Sequence, residues 1–398
     1  MRIVVHDYSG HPFQVQLSRA LASRGHEVLH LYSLDFLTPK GRVDTGSDDP
    51  SNLIIKGITT GVPIEKRSLF KRRAQERVFG QAIGREIRSF SPEVVVSSNA
   101  PLDCQAQIAS AAEGTGAAFV FWVQDLYGEA ISRILRQRLG ILGLAIGTWY
   151  KALEYRLLRA SDGIVVISED FVPILSGHGI AANHISVIEN WAPLDEMPLF
   201  PKREDDGQER SIKFVYSGTL GYKHNPDLLL AIAEQLEAPV TVYSEGITAE
   251  ELSLKAEKAA VHNLAVRGWV PFEQLPAVLG SYDVLIVMIE PDAGVFSVPS
   301  KVLTYFCVGR PILAAIPLDN LAARLIIRED AGLVSPPGDA DRLIQNARKL
   351  AADSALRARM GASGRSYAER TFEIGPLATR FEDIIKTALR RFKTRAQT

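Results

Sequence analysis

Gly294-Val295-Phe296-Ser297-Val298-Pro299-Ser300-Lys301-Val302-Leu303-Thr304-Tyr305-Phe306-Cys307-Val308-Gly309-Arg310-Pro311 lies between two apolar runs, Val284-Leu285-Ile286-Val287-Met288-Ile289 and Ile312-Leu313-Ala314-Ala315-Ile316. Glu290-Pro291-Asp292 separates it from the first run, so the order reads as strand, loop, helix, strand. A loop that leaves a strand's carboxyl end and feeds a helix presents unpaired N–H groups and the positive end of the helix dipole, which suits phosphate. Lys301, in the first turn, adds a full positive charge there. Two readings stand: a packed βαβ unit with Ser300 as N-cap and Lys301 solvated, or a phosphate site. A lysine at a helix N-terminus costs about 0.3–1 kcal/mol unless an anion faces it. The placement therefore leans towards phosphate.

Outward from this unit the same alternation covers most of the 398 residues. Strand-length apolar runs occur at Ile3–Val5, Val28–Tyr32, Val94–Ser97, Phe119–Val123, Ile164–Ile167 and Ile185–Ile188, each followed by a helix-length segment. Continuous apolar strands separated by helices predict a parallel sheet covered on both faces. The alternation breaks at Pro193, Pro198 and Pro201 and the charged Lys202-Arg203-Glu204-Asp205-Asp206, where there is almost nothing to bury. It resumes at Ile212–Tyr216 and continues through Val240–Tyr243, Leu264–Arg267, Val284–Met288, Ile312–Ala315 and Leu333-Val334. The expected organisation is an α/β domain over 1–190, a linker over 191–211, a second doubly wound domain over 212–373, and a C-terminal helix over 374–398 that packs back across the junction. Ligands of such open sheets sit at the carboxyl ends of the strands, so two facing domains would make one cleft.

Composition narrows the function. With 45 Lys and Arg against 46 Asp and Glu, no global charge recruits nucleic acid or membrane. Cys104 and Cys307 show no metal-ligand spacing, and a reducing cytosol fits them. The chain begins directly as a strand, without a secretory signal, so the expectation is cytoplasmic. Leu139–Tyr150, the most apolar helical stretch, is well short of the ~20 residues needed to span a bilayer. Local charge is another matter. Lys66–Arg88 carries eight cations against Glu76 and Glu86 on an apolar helical period, a pattern for a surface on anionic membrane or for an ordinary solvated helix. Arg133, Arg136 and Arg138 before Leu139 would strengthen the membrane reading if both segments shared a side.

Several residues could carry chemistry at the strand ends. His6-Asp7-Tyr8-Ser9-Gly10-His11-Pro12 lacks the Gly-x-Gly-x-x-Gly dinucleotide fingerprint, which counts against a nicotinamide enzyme, while Gly10 and His11 are candidates for substrate approach. Pro12 suits the first helical position. In the second domain, Gly218, Thr219 and Gly221 after Ser217 let the backbone curl around an anion within reach of Lys223; a turn glycine and a surface lysine fit equally. Asp125 ends an apolar strand and could bind or deprotonate an acceptor hydroxyl, or cap the next helix. Asp339-Ala340-Asp341 spells a metal-binding Asp-x-Asp, yet after Pro336-Pro337-Gly338 the expected role of Asp339 is an N-cap, with no metal site.

Together these motifs resemble the family 4 retaining glycosyltransferases of the GT-B fold, along essentially the whole chain. Phe296–Tyr305 with Gly309-Arg310-Pro311 is similar to the donor-binding loop and helix of the subgroup that builds bacterial surface polysaccharides, of the fucosamine and colanic-acid type. Ala22–Val28, Tyr216–Gly221, Ala331–Val334 and Pro336–Asp339 support the match. The resemblance implies an N-terminal acceptor domain (Gly10, His11, Asp125), a C-terminal nucleotide-sugar domain and a crossing C-terminal helix. It further implies retention of configuration, with no metal or other cofactor. The expected donor is a nucleoside-diphosphate sugar, UDP-linked, with an N-acetylated amino sugar among the candidates, and the expected acceptor a lipid-diphosphate-linked saccharide at the cytoplasmic face of the inner membrane. Donor contacts would come from Gly218, Thr219, Lys223, Ser297, Pro299, Ser300, Lys301 and Thr304, with the base near Gly268, Trp269 and Val270. Catalysis would fall to Asp125, Lys223 and Lys301. Two family features are replaced: Phe296 and Thr304 stand where many members carry a Glu-x7-Glu pair, and Thr219 where an arginine often follows the phosphate-loop glycine. The alternatives are a sugar-nucleotide epimerase of the same fold and a non-catalytic sugar-nucleotide-binding scaffold.

Overall fold

The computed structural model describes residues 1–36, 40–62, 69–98, 100–200, 211–221, 224–291 and 300–397. It divides into two compact units, Met1–Glu189 with Ile374–Thr398, and Asn190–Glu373.

The first unit is built on seven parallel strands: β1 (Arg2–Asp7), β2 (Glu27–Ser33), β3 (Leu53–Ile58), β4 (Val94–Ser98), β5 (Ala118–Val123), β6 (Gly163–Val166) and β7 (Ile185–Val187). Their order is β3-β2-β1-β4-β5-β6-β7, so the chain reverses its direction of travel between β1 and β4. Ile3, Val4, Val5, Val94, Val95 and Val96 are fully buried, as expected of strands covered on both faces. β3 is the strand that periodicity misses. It is an edge strand in which only Leu53 and Ile58 are buried; its apolar run Leu53-Ile54-Ile55 stops at Lys56 and Gly57, and Ile54 is exposed.

The C-terminal helix Ile374–Gln397 belongs to this first unit. Phe381 packs its ring 4.6 Å from that of Trp122 on β5, and Glu382 pairs with Arg24 at 3.1 Å. Farther along, Arg395 meets the buried Asp162 carboxylate at 3.2 Å.

The apolar stretch 139–150 lies inside a longer helical element, Tyr127–Ala160, broken at Gly140 (φ 57°, ψ −127°). Past the break the chain folds back on itself. Gly143 passes against the Leu135 carbonyl, Gly147 against Ser132, and Gly128 against Lys151, approaches too close for a Cβ. The result is an αα-hairpin whose arms are tied by Tyr155 donating to Glu129 at 3.1 Å and by Lys151 to Glu129 at 2.8 Å. Among the described residues no helix is long and apolar enough to cross a membrane.

The second unit carries six parallel strands: β8 (Phe214–Ser217), β9 (Val240–Tyr243), β10 (Leu264–Arg267), β11 (Val284–Met288), β12 (Ile312–Ala315) and β13 (Gly332–Ser335). Their order, β10-β9-β8-β11-β12-β13, reverses between β8 and β11. The helix expected after β11 runs over Lys301–Val308 and ends in a left-handed Gly309 (φ 68°). Asp339 caps helix Ala340–Ala352 by accepting from the Arg342 N–H at 2.9 Å. Both units are therefore doubly wound parallel sheets, each with a reversal point at which ligands collect.

Candidate functional site

In the second unit, the reversal point joins the ends of β8 and β11 to the start of helix Lys301–Val308. Tyr305, one turn into that helix, fixes the junction: its hydroxyl accepts from the Ser217 N–H at 3.2 Å and donates to the Ile286 carbonyl at 3.2 Å. Tyr216, fully buried on β8, donates its hydroxyl to the Thr219 carbonyl at 2.9 Å and so bends the loop back over the strand end. Gly218 adopts φ +127°, a conformation that side chains rarely take.

This geometry receives Lys301. Its Nζ lies 3.7 Å from the centroid of the Tyr216 ring, and 3.1 Å from where a Cβ on Gly218 would be. The stem remains partly open to solvent, but the ammonium is buried and has no hydrogen-bond partner among the described residues. Burial alone pulls its pKa down from 10.5 to about 7. A cation–π contact offsets only about 2 kcal/mol of such a desolvation. A buried ammonium without an acceptor among the described residues, at the end of a strand and the start of a helix, suits an anion.

The other expected donor residues are distributed around it. Gly218 and Lys301 are in direct apposition, and Thr219 is exposed on the same loop. Thr304 is half-buried one turn along the helix. Ser300 is exposed and holds the N-cap position, but with helical dihedrals (φ −55°, ψ −24°) its side chain makes no capping bond. Gly268, Trp269 and Val270 leave β10, two strands from β8, and lie beside Glu245, whose carboxylate accepts from the Trp269 N–H at 3.0 Å. The Trp269 indole N–H is buried without a partner among the described residues. Lys223, Ser297 and Pro299 lie outside the described residues, as do Lys66 and Arg67 of the basic segment.

In the first unit, the corresponding turn after β1 is closed by Asp7. Its fully buried carboxylate accepts from the Ser9 N–H at 3.0 Å and from the His11 N–H, and pairs with His11 Nδ1 at 3.1 Å. Burial opposes charge on Asp7, but His11 and the Ser9 amide hold its carboxyl below the ordinary range. Burial likewise pulls His11 down, while Asp7, and to a lesser degree Asp125, bring it above its usual value. Gly10, His11 and Asp125 are thus neighbours. Gly10 is left-handed (φ +77°), and Lys40, which donates to the Phe36 carbonyl at 2.8 Å, packs against it. Pro12 takes the first helical position.

Asp125 follows β5 and is half-buried. The N-cap position of the next helix falls on Leu126, with no side-chain capping bond. Glu154, from the returning arm of the hairpin, accepts from the Gly128 N–H at 3.0 Å instead. Burial pushes Glu154 up to about 8 against that bond and the Tyr127 amide, with the Glu129 and Asp125 carboxylates adding to the rise.

Sequence reasoning missed Tyr216, Tyr305, Asp7 and Glu154. An acid at a strand end was the signal that singled out Asp125, and Asp7 carries the same signal. Among the described residues no three His, Cys, Asp or Glu side chains group to hold a metal.

Known proteins agree with this architecture. Two family profiles cover most of the chain: Glycosyltransferase Family 4 over residues 13–196 and Glycosyl transferases group 1 over residues 211–353. WcaI of Escherichia coli (strain K12), provisionally named a colanic acid biosynthesis glycosyl transferase, is 21% identical over 301 residues, 72% of each protein. Among solved structures, sucrose-phosphate synthase from Thermosynechococcus elongatus superposes with a TM-score of 0.71 at 15% identity, covering 97% of this chain and 98% of that one. Anabaena HepE in complex with UDP-glucose gives 0.67 at 12% identity, covering 97% and 100%. With two doubly wound sheets of GT-B type and both profiles in sequence order, the chain is a GT-B glycosyltransferase that joins a Glycosyltransferase Family 4 domain to a Glycosyl transferases group 1 domain.

Proposed function

We propose that the protein transfers a sugar from a nucleoside-diphosphate donor, UDP-linked, to a lipid-diphosphate-linked saccharide during surface-polysaccharide synthesis, with retained configuration and no metal. The observation that carries this reading is the buried Lys301 ammonium against Gly218 and Tyr216, without a hydrogen-bond partner among the described residues. A diphosphate brought to it would gain an acceptor for that ammonium and restore its charge. A cation about 4 Å from a phosphate, at an effective dielectric near 20, gains on the order of 4 kcal/mol before desolvation. As the leaving group departs, its growing charge would be met by Lys301, with Lys223, two residues after Gly221 in sequence, as the second candidate cation. The preference for UDP takes support from HepE, solved with UDP-glucose, and the polysaccharide setting from WcaI. Metal independence draws on Asp339 of the Asp339-Ala340-Asp341 motif, whose carboxylate is engaged as a helix cap.

The acceptor reading centres on Gly10, His11 and Asp125, with Asp7 as a positioning residue. Asp125 would take the proton of the attacking hydroxyl, and His11, whose pKa the Asp7 carboxylate raises, suits an anionic acceptor group. The basic helix Leu69–Phe90, with Arg77, Arg85 and Arg88 exposed, would face the cytoplasmic leaflet of the inner membrane.

Thermal shift against UDP-, GDP- and dTDP-sugars tests the donor, since a ligand stabilises the state it binds. The expected result is a shift with UDP-sugars that Lys301→Ala abolishes. No shift with any nucleotide would overturn the reading. Product analysis with donor alone separates transfer from epimerisation, and turnover with a lipid-linked acceptor separates an enzyme from a binding scaffold.

A further inference from the structure

The αα-hairpin of Tyr127–Ala160 carries its most apolar residues at its turn, where the protein has nothing to cover them. Ile141 is 88% exposed and Leu142 65%, with Leu139 and Leu144 exposed on either side of the break at Gly140. Soluble folds seldom gather four large aliphatic side chains at one exposed turn without a use for them. The arms are locked by close glycine contacts and by the Glu129 and Glu154 bonds, so the turn is held on a firm stem.

Charge specifies what covers it. From Ala130 to Leu153 the sequence contains Arg133, Arg136, Arg138 and Lys151 and no acid. Arg133 and Arg136 are exposed on the arm that leads to the turn. The returning arm meets the basic helix Leu69–Phe90: the Arg73 guanidinium lies 4.5 Å over the ring of Trp149, itself 43% exposed, and Tyr150 donates to Asp103, the partner of Arg73, at 2.8 Å. The two basic segments therefore join on one flank, the condition set by their sequences. Aliphatic residues at a tip, arginines behind them and an indole at the collar match the layers of an anionic bilayer interface: acyl chains, headgroup charge and the boundary between them. Two copies docked tip to tip would instead set arginine against arginine around a two-fold axis.

We propose that this hairpin is a monotopic membrane anchor, inserting Leu139, Ile141, Leu142 and Leu144 into the acyl boundary of an anionic leaflet while the arginines of its first arm engage the headgroups. The inference extends the membrane-facing part of the proposed function and is independent of the donor chemistry. A protein that binds UDP but no vesicles sinks the hairpin alone; one that binds vesicles but no nucleotide sinks the donor reading alone.

The test is co-sedimentation of the full chain with vesicles of phosphatidylglycerol and phosphatidylcholine, against phosphatidylcholine alone. Wild type should bind the anionic vesicles, less so at high salt, and Ile141→Asp with Leu142→Asp should lower that partition by about tenfold or more. Both positions are exposed, so the melting temperature of the double variant should match wild type. A fluorophore on Ile141→Cys gives a second readout, because Cys104 and Cys307 are buried: its emission should shift to the blue with anionic vesicles. Equal partition of wild type and double variant, an unshifted label, or a lipid-free dimer that the double variant dissociates would each overturn the proposal.

Discussion

The turn after β1 and the turn after β8 occupy equivalent places in their sheets, and they treat charge in opposite ways. After β1, Asp7 is buried with its acceptors filled by the Ser9 and His11 amides and the His11 ring. After β8, the Lys301 ammonium is buried with none among the described residues. Asp7 is satisfied within its own turn; in the proposed reading an anion satisfies Lys301. An unpaired buried charge costs several kcal/mol, and a fold retains one where a ligand supplies the missing partner. The contrast separates a scaffold that holds a histidine in position from a site that binds.

The largest effect should come from removing the unpaired charge. Lys301→Ala should lower turnover by about 10²–10³-fold, since the ammonium faces charge that grows as the diphosphate leaves. Steady-state assay of a variant with native melting would check this, and near-native turnover would erase the distinction between the turns. Gly218→Ala should come next. The left-handed backbone makes any side chain there cost about 1–3 kcal/mol, and its methyl would crowd the ammonium 3.1 Å away. The expected outcome is weaker donor binding, read by calorimetry, with acceptor KM unchanged.

On the β1 side, Asp7→Asn should leave donor affinity alone and drop the His11 pKa, because burial would then act against the imidazolium with only Asp125 opposing it. Histidine-resolved NMR titration measures the fall; a His11 pKa that stays above its ordinary value would show that Asp7 is not what holds it. The smallest effects concern the caps. Asp339→Ala should lose about 1 kcal/mol, the usual worth of an N-cap bond, whereas Ser300→Ala should stay within about 0.5 kcal/mol, having no such bond to lose. Paired denaturant melts distinguish them.

Much of this was legible in the sequence, and the gaps have physical causes. Twelve apolar runs marked strands because parallel strands bury both faces; β3 escaped because Lys56 and Gly57 interrupt its apolar residues. Gly10, His11 and Asp125 were named from strand-end position, Gly218 from glycine spacing after a strand, and Lys301 from its charge in the first turn of a helix. Tyr216 and Tyr305 were not, since an aromatic residue in a strand or helix reads as core, and only the fold reveals that their hydroxyls organise the turn. Glu154 was out of reach because the break at Gly140 brings it back to the Gly128 amide from 26 residues away.

The central claim is that Lys301 waits for a diphosphate, and the titration of its ammonium tests that most directly. With Nζ observed by NMR against a Lys301→Arg reference for assignment, the free protein should show a pKa near 7, well below the ordinary 10.5. Saturating UDP should raise it by about one unit or more. Binding would then take up a proton, so affinity should be greatest below pH 7 and fall as pH rises through the free value. A pKa near 10.5 in the free protein, unmoved by UDP, would contradict the account.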